Sequence, residues 1–279
     1  MTTTKSLLVE LFVEELPPKS LKKLGDSFAE TLATSLKAQG LVAGDAVVTA
    51  YATPRRLAVH VTGVAMQADD KPVSQKLMSV AVGLDANGQR TPALNKKIDT
   101  LKAQNLSFIS PNLRRVSDGK NEVLYLDFVT KGATLADGLE QALEDALVKL
   151  PIAKVMSYQL VDGWSSVSFV RPAHGLVALH GAEVVQISRV LGLTARRETQ
   201  GHRFEASVSP IVLKDADSYA RQLEQEGAVI ASFSARRAEI VKQITAAAAR
   251  EKLTPVTDDA LLDEVTALVE RPNVLVGGI

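Results

Sequence analysis

Ser6-Leu-Leu-Val-Glu-Leu-Phe-Val13 is an apolar run broken only by Glu10, and Glu14-Glu-Leu-Pro-Pro18 follows it directly. Apolar residues at successive positions suit a strand buried on both faces. Proline is favoured at the first helical position, and Leu21, Leu24, Phe28, Leu32 and Leu36 then recur every three or four residues up to Gly40, which predicts an amphipathic helix. A buried strand feeding such a helix implies a sheet with helices packed on it.

Outward from this unit, Ala46–Tyr51 and Leu57–Val64 read as strands flanking the turn Ala52-Thr-Pro-Arg-Arg56. Gln67–Gln75 is polar, Leu77–Leu84 is strand-like, and Asp85-Ala-Asn-Gly88 makes a turn before a helix from about Thr91 to Gln104. Asn121–Thr130 alternates like a half-buried strand. Thr134 with Asp137 resembles a capping box opening a helix to Leu150. Between Ile152 and Gly201 short apolar runs (Ser166–Val170, Leu176–Leu179, Glu183–Ile187) are cut by Gly, Pro and Arg, as in a β-rich module. Helices are expected at Asp215–Glu226, Ser234–Glu251 and Thr257–Val269. The reading is α+β, a mixed α/β protein with an N-terminal domain at 1–150 and a second domain, β-rich then helical, at 151–279.

A chain of 279 residues with 46% hydrophobic residues can bury about two ordinary cores. Lys plus Arg and Asp plus Glu each number 32, so an anionic partner must be met by local patches and not by a global field. The absence of cysteine excludes disulfides, thiolate metal sites and cysteine nucleophiles. The start, Met1-Thr-Thr-Thr-Lys-Ser6, lacks a signal-peptide profile, and no apolar run approaches the roughly 20 residues of a membrane span, so a cytoplasmic location without membrane is expected. With aromatics at 4%, stacked aromatic platforms for single-stranded nucleic acid are not the main device.

No phosphate-cradling glycine loop and no nucleophile elbow occurs, so no catalytic residue is assigned. His174 and His180 are six apart but lack a nearby carboxylate in sequence, and no metal site is assigned. Glu14 and Glu15 are adjacent on an extended segment, point to opposite faces and cannot straddle one bond; they suit an ion pair with arginine or the following helix N-terminus. Asp258, Asp259, Asp263 and Glu264 suit a helix start in the same way. Arg236-Arg237 reads as a solvated helix face. The stronger signal is a set of arginine turns beside Gly or Pro: Arg55 and Arg56, Arg171 with His174, Arg196 and Arg197, and His202 with Arg203. Guanidinium forks beside exposed amides suit phosphate oxygens, which makes these eight residues candidates for contacting RNA; pairing with Glu14, Glu198 or Glu205 is the alternative for each.

Five strings, in order, resemble one family. They are Leu7-Leu-Val-Glu-Leu-Phe-Val-Glu-Glu-Leu-Pro-Pro18, Ala52-Thr-Pro-Arg-Arg-Leu-Ala58, Phe169-Val-Arg-Pro-Ala-His174 with Leu176-Val-Ala-Leu179, Gly201-His-Arg-Phe204, and Leu262-Asp-Glu-Val-Thr-Ala-Leu-Val-Glu270. The family is the β subunit of the bacterial two-subunit glycyl-tRNA synthetases. Departures are Val155-Met-Ser-Tyr158 after Lys154, Gln200 before Gly201, and Arg271 before Pro272, where the family often has Met-Arg-Trp-Gly, Arg and Trp. The resemblance implies an α2β2 ligase that attaches glycine to tRNA(Gly), with ATP and magnesium held by the α subunit and no cofactor on this chain, and it makes tRNA the RNA that the eight arginine-turn residues are candidates to contact. It also implies a much longer subunit, so this chain is expected to be its N-terminal part, breaking off at Ile279 in a strand still running. Two other functions stay open: a scaffold that docks the α subunit without touching RNA, and an editing-like hydrolytic module using His174 or His202 as base.

Overall fold

The computed structural model describes residues 3–104, 108–117, 119, 121–152, 155–187, 190–256 and 258–277. Helix and strand each account for 32% of the described residues, an α+β protein as the sequence implies. The chain divides into two compact units, one of Met1–Met66 with Leu135–Ile279 and one of Gln67–Thr134.

The larger unit begins with β1 (Thr4–Val13), a 3₁₀ turn at Pro18–Ser20, α1 (Leu21–Ala38), β2 (Val48–Thr53) and β3 (Arg56–Ala65). β1 pairs antiparallel with β3 on one side and with Ala173–His180 on the other, and Leu7–Leu11 within it are buried. Register sorts its two faces. Leu11 lies opposite Leu57, and Leu57 opposite Ala52, whose Cβ faces Gly25 of α1, so odd positions of β1 point toward the helix. Glu10 lies opposite Ala58, and Ala58 opposite Tyr51, whose ring meets Tyr219 at 5.3 Å, so even positions face the segment from Ile211 to Ala231.

The smaller unit holds β4 (Lys71–Ser79), the helical turn α2 (Val80–Gly83), α3 (Pro92–Gln104), β5 (Phe108–Ser117) and β6 (Glu122–Thr130). Its sheet runs β4-β6-β5, with Leu94 and Ile98 of α3 packed on Leu124, Leu126 and Phe128 of the central strand. Pro111 is tolerated in β5 because that strand is an edge. The expected strand at Leu77–Leu84 is corrected: β4 starts earlier, in the polar stretch, and the chain turns helical at Val80.

The chain then re-enters the larger unit with α4 (Leu135–Lys149), β7 (Met156–Gln159), β8 (Ser166–Phe169), β9 (Ala173–His180), β10 (Glu183–Val184), β11 (Ala195–Arg196), β12 (Glu198–Thr199) and β13 (Ile211–Val212). It closes with α5 (Tyr219–Gln225), α6 (Phe233–Arg250) and α7 (Asp259–Thr266). The main sheet has the order β10-β9-β1-β3-β2, with β11 parallel to β9. This overturns the boundary drawn at Pro151. β9 completes the sheet that β1 starts, so residues on both sides of Pro151 share one core, and the divisions fall at Met66/Gln67 and Thr134/Leu135. α5 starts four residues later than expected because Asp215 Oδ1 takes the Ser218 amide in a turn. The expected start of the last helix, Thr257, and the end at Ile279 lie outside the described residues; Pro272–Gly277 is not strand.

Candidate functional site

Glu10 is the one charged residue in β1's buried stretch, with no exposed surface. A carboxylate there is costly unless it is bonded, and it is: Thr199 Oγ1 donates to Oε1, and Tyr219 Oη donates to Oε2 at 2.5 Å. Burial first, and Glu10 second, hold the Tyr219 hydroxyl well above the ordinary phenol range.

The Thr-Pro-Arg-Arg turn between β2 and β3 points inward. Arg55 Nη2 donates to Gly201 O and to Glu270 Oε2, both at 2.9 Å. Arg56, fully buried, donates through Nη2 to Gln200 O at 2.7 Å and to Glu270 Oε1 at 3.5 Å. Thr53 Oγ1 also donates to Glu270 at 3.2 Å. Both guanidinium groups lie over the Phe12 ring, at 5.3 and 5.5 Å. Burial alone would lower the Arg56 pKa, but Glu10, Tyr219 and Glu270 outweigh it and the net shift is upward. Its Nε and Nη1 are buried and meet no acceptor among the described residues, a cost the Glu10 and Glu270 charges must offset.

The segment after β1 is clasped on both sides. Val13 N and Leu16 N donate to Arg55 O and Pro54 O, at 2.9 and 2.7 Å, while Glu14 N donates to Pro172 O at 2.9 Å. Arg171 Nε donates to Glu15 O at 2.8 Å, and His174 Nε2 lies 2.8 Å from Glu14 Oε1. Side chains or backbone of all five strings quoted from the sequence therefore meet at one end of the main sheet.

This placement corrects the reading of Arg55 and Arg56 as tRNA contacts: they are engaged with Glu270 and with carbonyls inside the fold, and Arg56 has no surface to offer. Arg171 is half-buried and structural, and Arg197 donates to Ala182 O and Leu213 O. His202 Nδ1 accepts from the amides of Phe204 and Glu205, so its ring caps its own loop. Arg196 and Arg203 are exposed, with no hydrogen-bond acceptor among the described residues. A cleft of about 910 Å³ brings together His174, Arg196 and Arg197 with Phe12, Thr199 and Gln200. Its floor thus reaches the Glu10 and Arg56 network through Thr199 and Gln200.

Sequence reasoning passed over Tyr219 and Thr199, and gave Glu270 no partner. Arg236, assigned to a solvated face, is fully buried and donates to Thr266 O, Ile230 O and Ala52 O at 3.0, 2.8 and 2.8 Å, tying α6 to α7 and β2. Burial pushes its pKa down to about 10, with Glu270 opposing and Arg56 assisting. Arg237 does lie outward, on Asp259 and Asp263, both at 2.7 Å. Glu10 itself was the available signal, because a charge inside a doubly buried strand requires partners.

Among curated proteins, the chain is 68% identical to the glycine–tRNA ligase beta subunit of Leptothrix cholodnii over 97% of its own length and 38% of the relative's. It is 61% identical to that of a Janthinobacterium species (99% and 39%) and 64% identical to that of Acidovorax ebreus (98% and 38%). The chain thus spans about two fifths of the length of the relatives it matches. The family profile described as glycyl-tRNA synthetase beta subunit matches residues 7–279, and the chain belongs to that family.

Proposed function

We propose that this chain is a non-catalytic part of the beta subunit of a glycine-tRNA ligase, supporting ATP-dependent attachment of glycine to tRNA(Gly) by assembling with the α subunit and by contacting tRNA. The family match over residues 7–279 carries this reading, and the chemistry of the site agrees with it. The sheet-end residues bond to one another in a structural role, and neither His174, paired with Glu14, nor His202, capping its loop, stands beside a nucleophile among the described hydrogen bonds. Glycine activation, with ATP and magnesium, falls to the α subunit of an α2β2 enzyme in the cytoplasm.

Contact with RNA falls to Arg196 and Arg203, the candidates whose guanidinium groups are exposed, with the cleft at His174 as the adjoining surface. Replacing both with alanine in the assembled ligase is expected to weaken tRNA binding while leaving glycine-dependent ATP–pyrophosphate exchange unchanged. The slope of log affinity against log salt should flatten by about 0.7 to 0.9 for each phosphate that is no longer neutralised. An unchanged affinity and slope would favour the scaffold reading. That reading has its own support in the inward bonding of Arg55, Arg56, Arg171 and Arg197.

A further inference from the structure

The hairpin β7–β8 carries the chain's single tryptophan at its tip, and the tip is held in place. Asp162 Oδ1 accepts from the amides of Trp164 and Ser165, both at 2.9 Å, Leu160 N donates to Ser165 O at 2.8 Å, and Gln159 Nε2 donates to Gly163 O. Gly163 at φ +74° supplies the left-handed step that the turn needs. At the base, Tyr158 Oη accepts from Ala173 N at 3.0 Å, Phe169 is buried, and Leu160 packs so closely on Gly192 that an added Cβ there would collide with its Cδ1. Trp164 nevertheless keeps 92% of its surface in solvent, and Val161 beside it is fully exposed.

We propose that Val161 and Trp164 form the anchor by which this chain docks its partner subunit, inserting into an apolar pocket on that protein. The proposal rests on the two-subunit reading above. An aromatic whose backbone is already fixed by turn hydrogen bonds has only its side-chain rotamers left to order on docking, and large aromatics dominate interface energies. Charge selects protein over nucleic acid. From Val155 to Phe169 the sole charged residue is Asp162, whereas an aromatic that stacks on single-stranded RNA works beside cations that track the phosphates.

One labelled position tests this. Incorporating 5-fluorotryptophan into this chain alone gives a single fluorine signal, read before and after addition of the unlabelled α subunit. Burial predicts a changed shift and loss of the H₂O/D₂O solvent effect in the complex. Trp164→Ala should weaken the complex at least tenfold, Trp164→Phe much less, and Val148→Ser, exposed on α4, not at all. A stable complex in which Trp164 keeps its solvent effect overturns the anchor and leaves the two-subunit reading intact. Protection by tRNA in place of the α subunit overturns it in favour of RNA. Failure to form any complex overturns both.

Discussion

Glu270 Oε2 accepts a hydrogen bond from Arg55 Nη2 at 2.9 Å across 215 residues of chain, while its Oε1 meets Arg56 and Thr53. One carboxylate therefore neutralises a buried turn at the far end of the sequence, and removing it strands two guanidinium groups. Glu270→Ala is expected to cost about 3–5 kcal/mol in urea unfolding, the range for breaking a buried pair from one side. A loss below about 1 kcal/mol would show that the pair is solvated, since exposed pairs contribute no more than that.

Tyr219 gives an alkaline prediction. Its folded pKa is raised by burial and by Glu10, so the proton it holds contributes stability that is complete below the ordinary value of about 10 and is lost as pH rises through the folded value. Tyrosinate absorbance should therefore show Tyr219 ionising only together with unfolding. Tyr219→Phe should cost about 1–3 kcal/mol at neutral pH by leaving a Glu10 oxygen unbonded, and should lessen the alkaline loss. Independent titration of every tyrosine in the folded protein would contradict the geometry.

Gly25 sits inside α1, where alanine would ordinarily gain about 1 kcal/mol of helix propensity. Here its added Cβ would fall 2.6 Å from the Cβ of Ala52 on β2. Helix and strand must then part, at a cost of about 1–3 kcal/mol, so Gly25→Ala should lower the melting temperature. The same substitution with Ala52→Gly should restore most of it; a stabilising single mutant would mean that α1 and β2 do not touch at this point.

Met66 O and Leu135 N, the two points where the larger unit is left and rejoined, are joined by a hydrogen bond of 2.8 Å. Replacing Gln67–Thr134 with a turn of a few Gly and Ser residues is expected to leave the larger unit folded, with one cooperative thermal transition and its sheet signal intact. Loss of that transition would show that the smaller unit supports the sheet.

The parts of the fold that were legible in the sequence are those with strong periodicity. β1 and α1 could be read because one is apolar at successive residues and the other at every third or fourth. β4 could not, since Lys71–Ser79 lies at a sheet edge with much of its surface in solvent and shows no apolar alternation. The boundary at Pro151 was read from a local change of texture, whereas the β1–β9 pairing that decides the matter joins residues some 170 apart. The site was half legible. The arginine turns stood out, but their partners, Glu270 and the carbonyls of Gln200 and Gly201, lie too far along the chain for local spacing to show which way a guanidinium points. Arg236 and Arg237 differ by one residue, and one helical step of about 100° turns the first inward and leaves the second in water.

Glu270 also sets an order of events in time. On the ribosome Arg56 emerges 214 residues before Glu270, which at about 5–20 residues per second is an interval of roughly 10–40 s. Throughout that time β1 and β3 can pair and bring Glu10 toward Arg56, but the second carboxylate, which also binds Arg55 and Thr53, is still to come. The Thr53–Arg55–Arg56 turn thus gets its full set of partners only when the segment after α7 has been made.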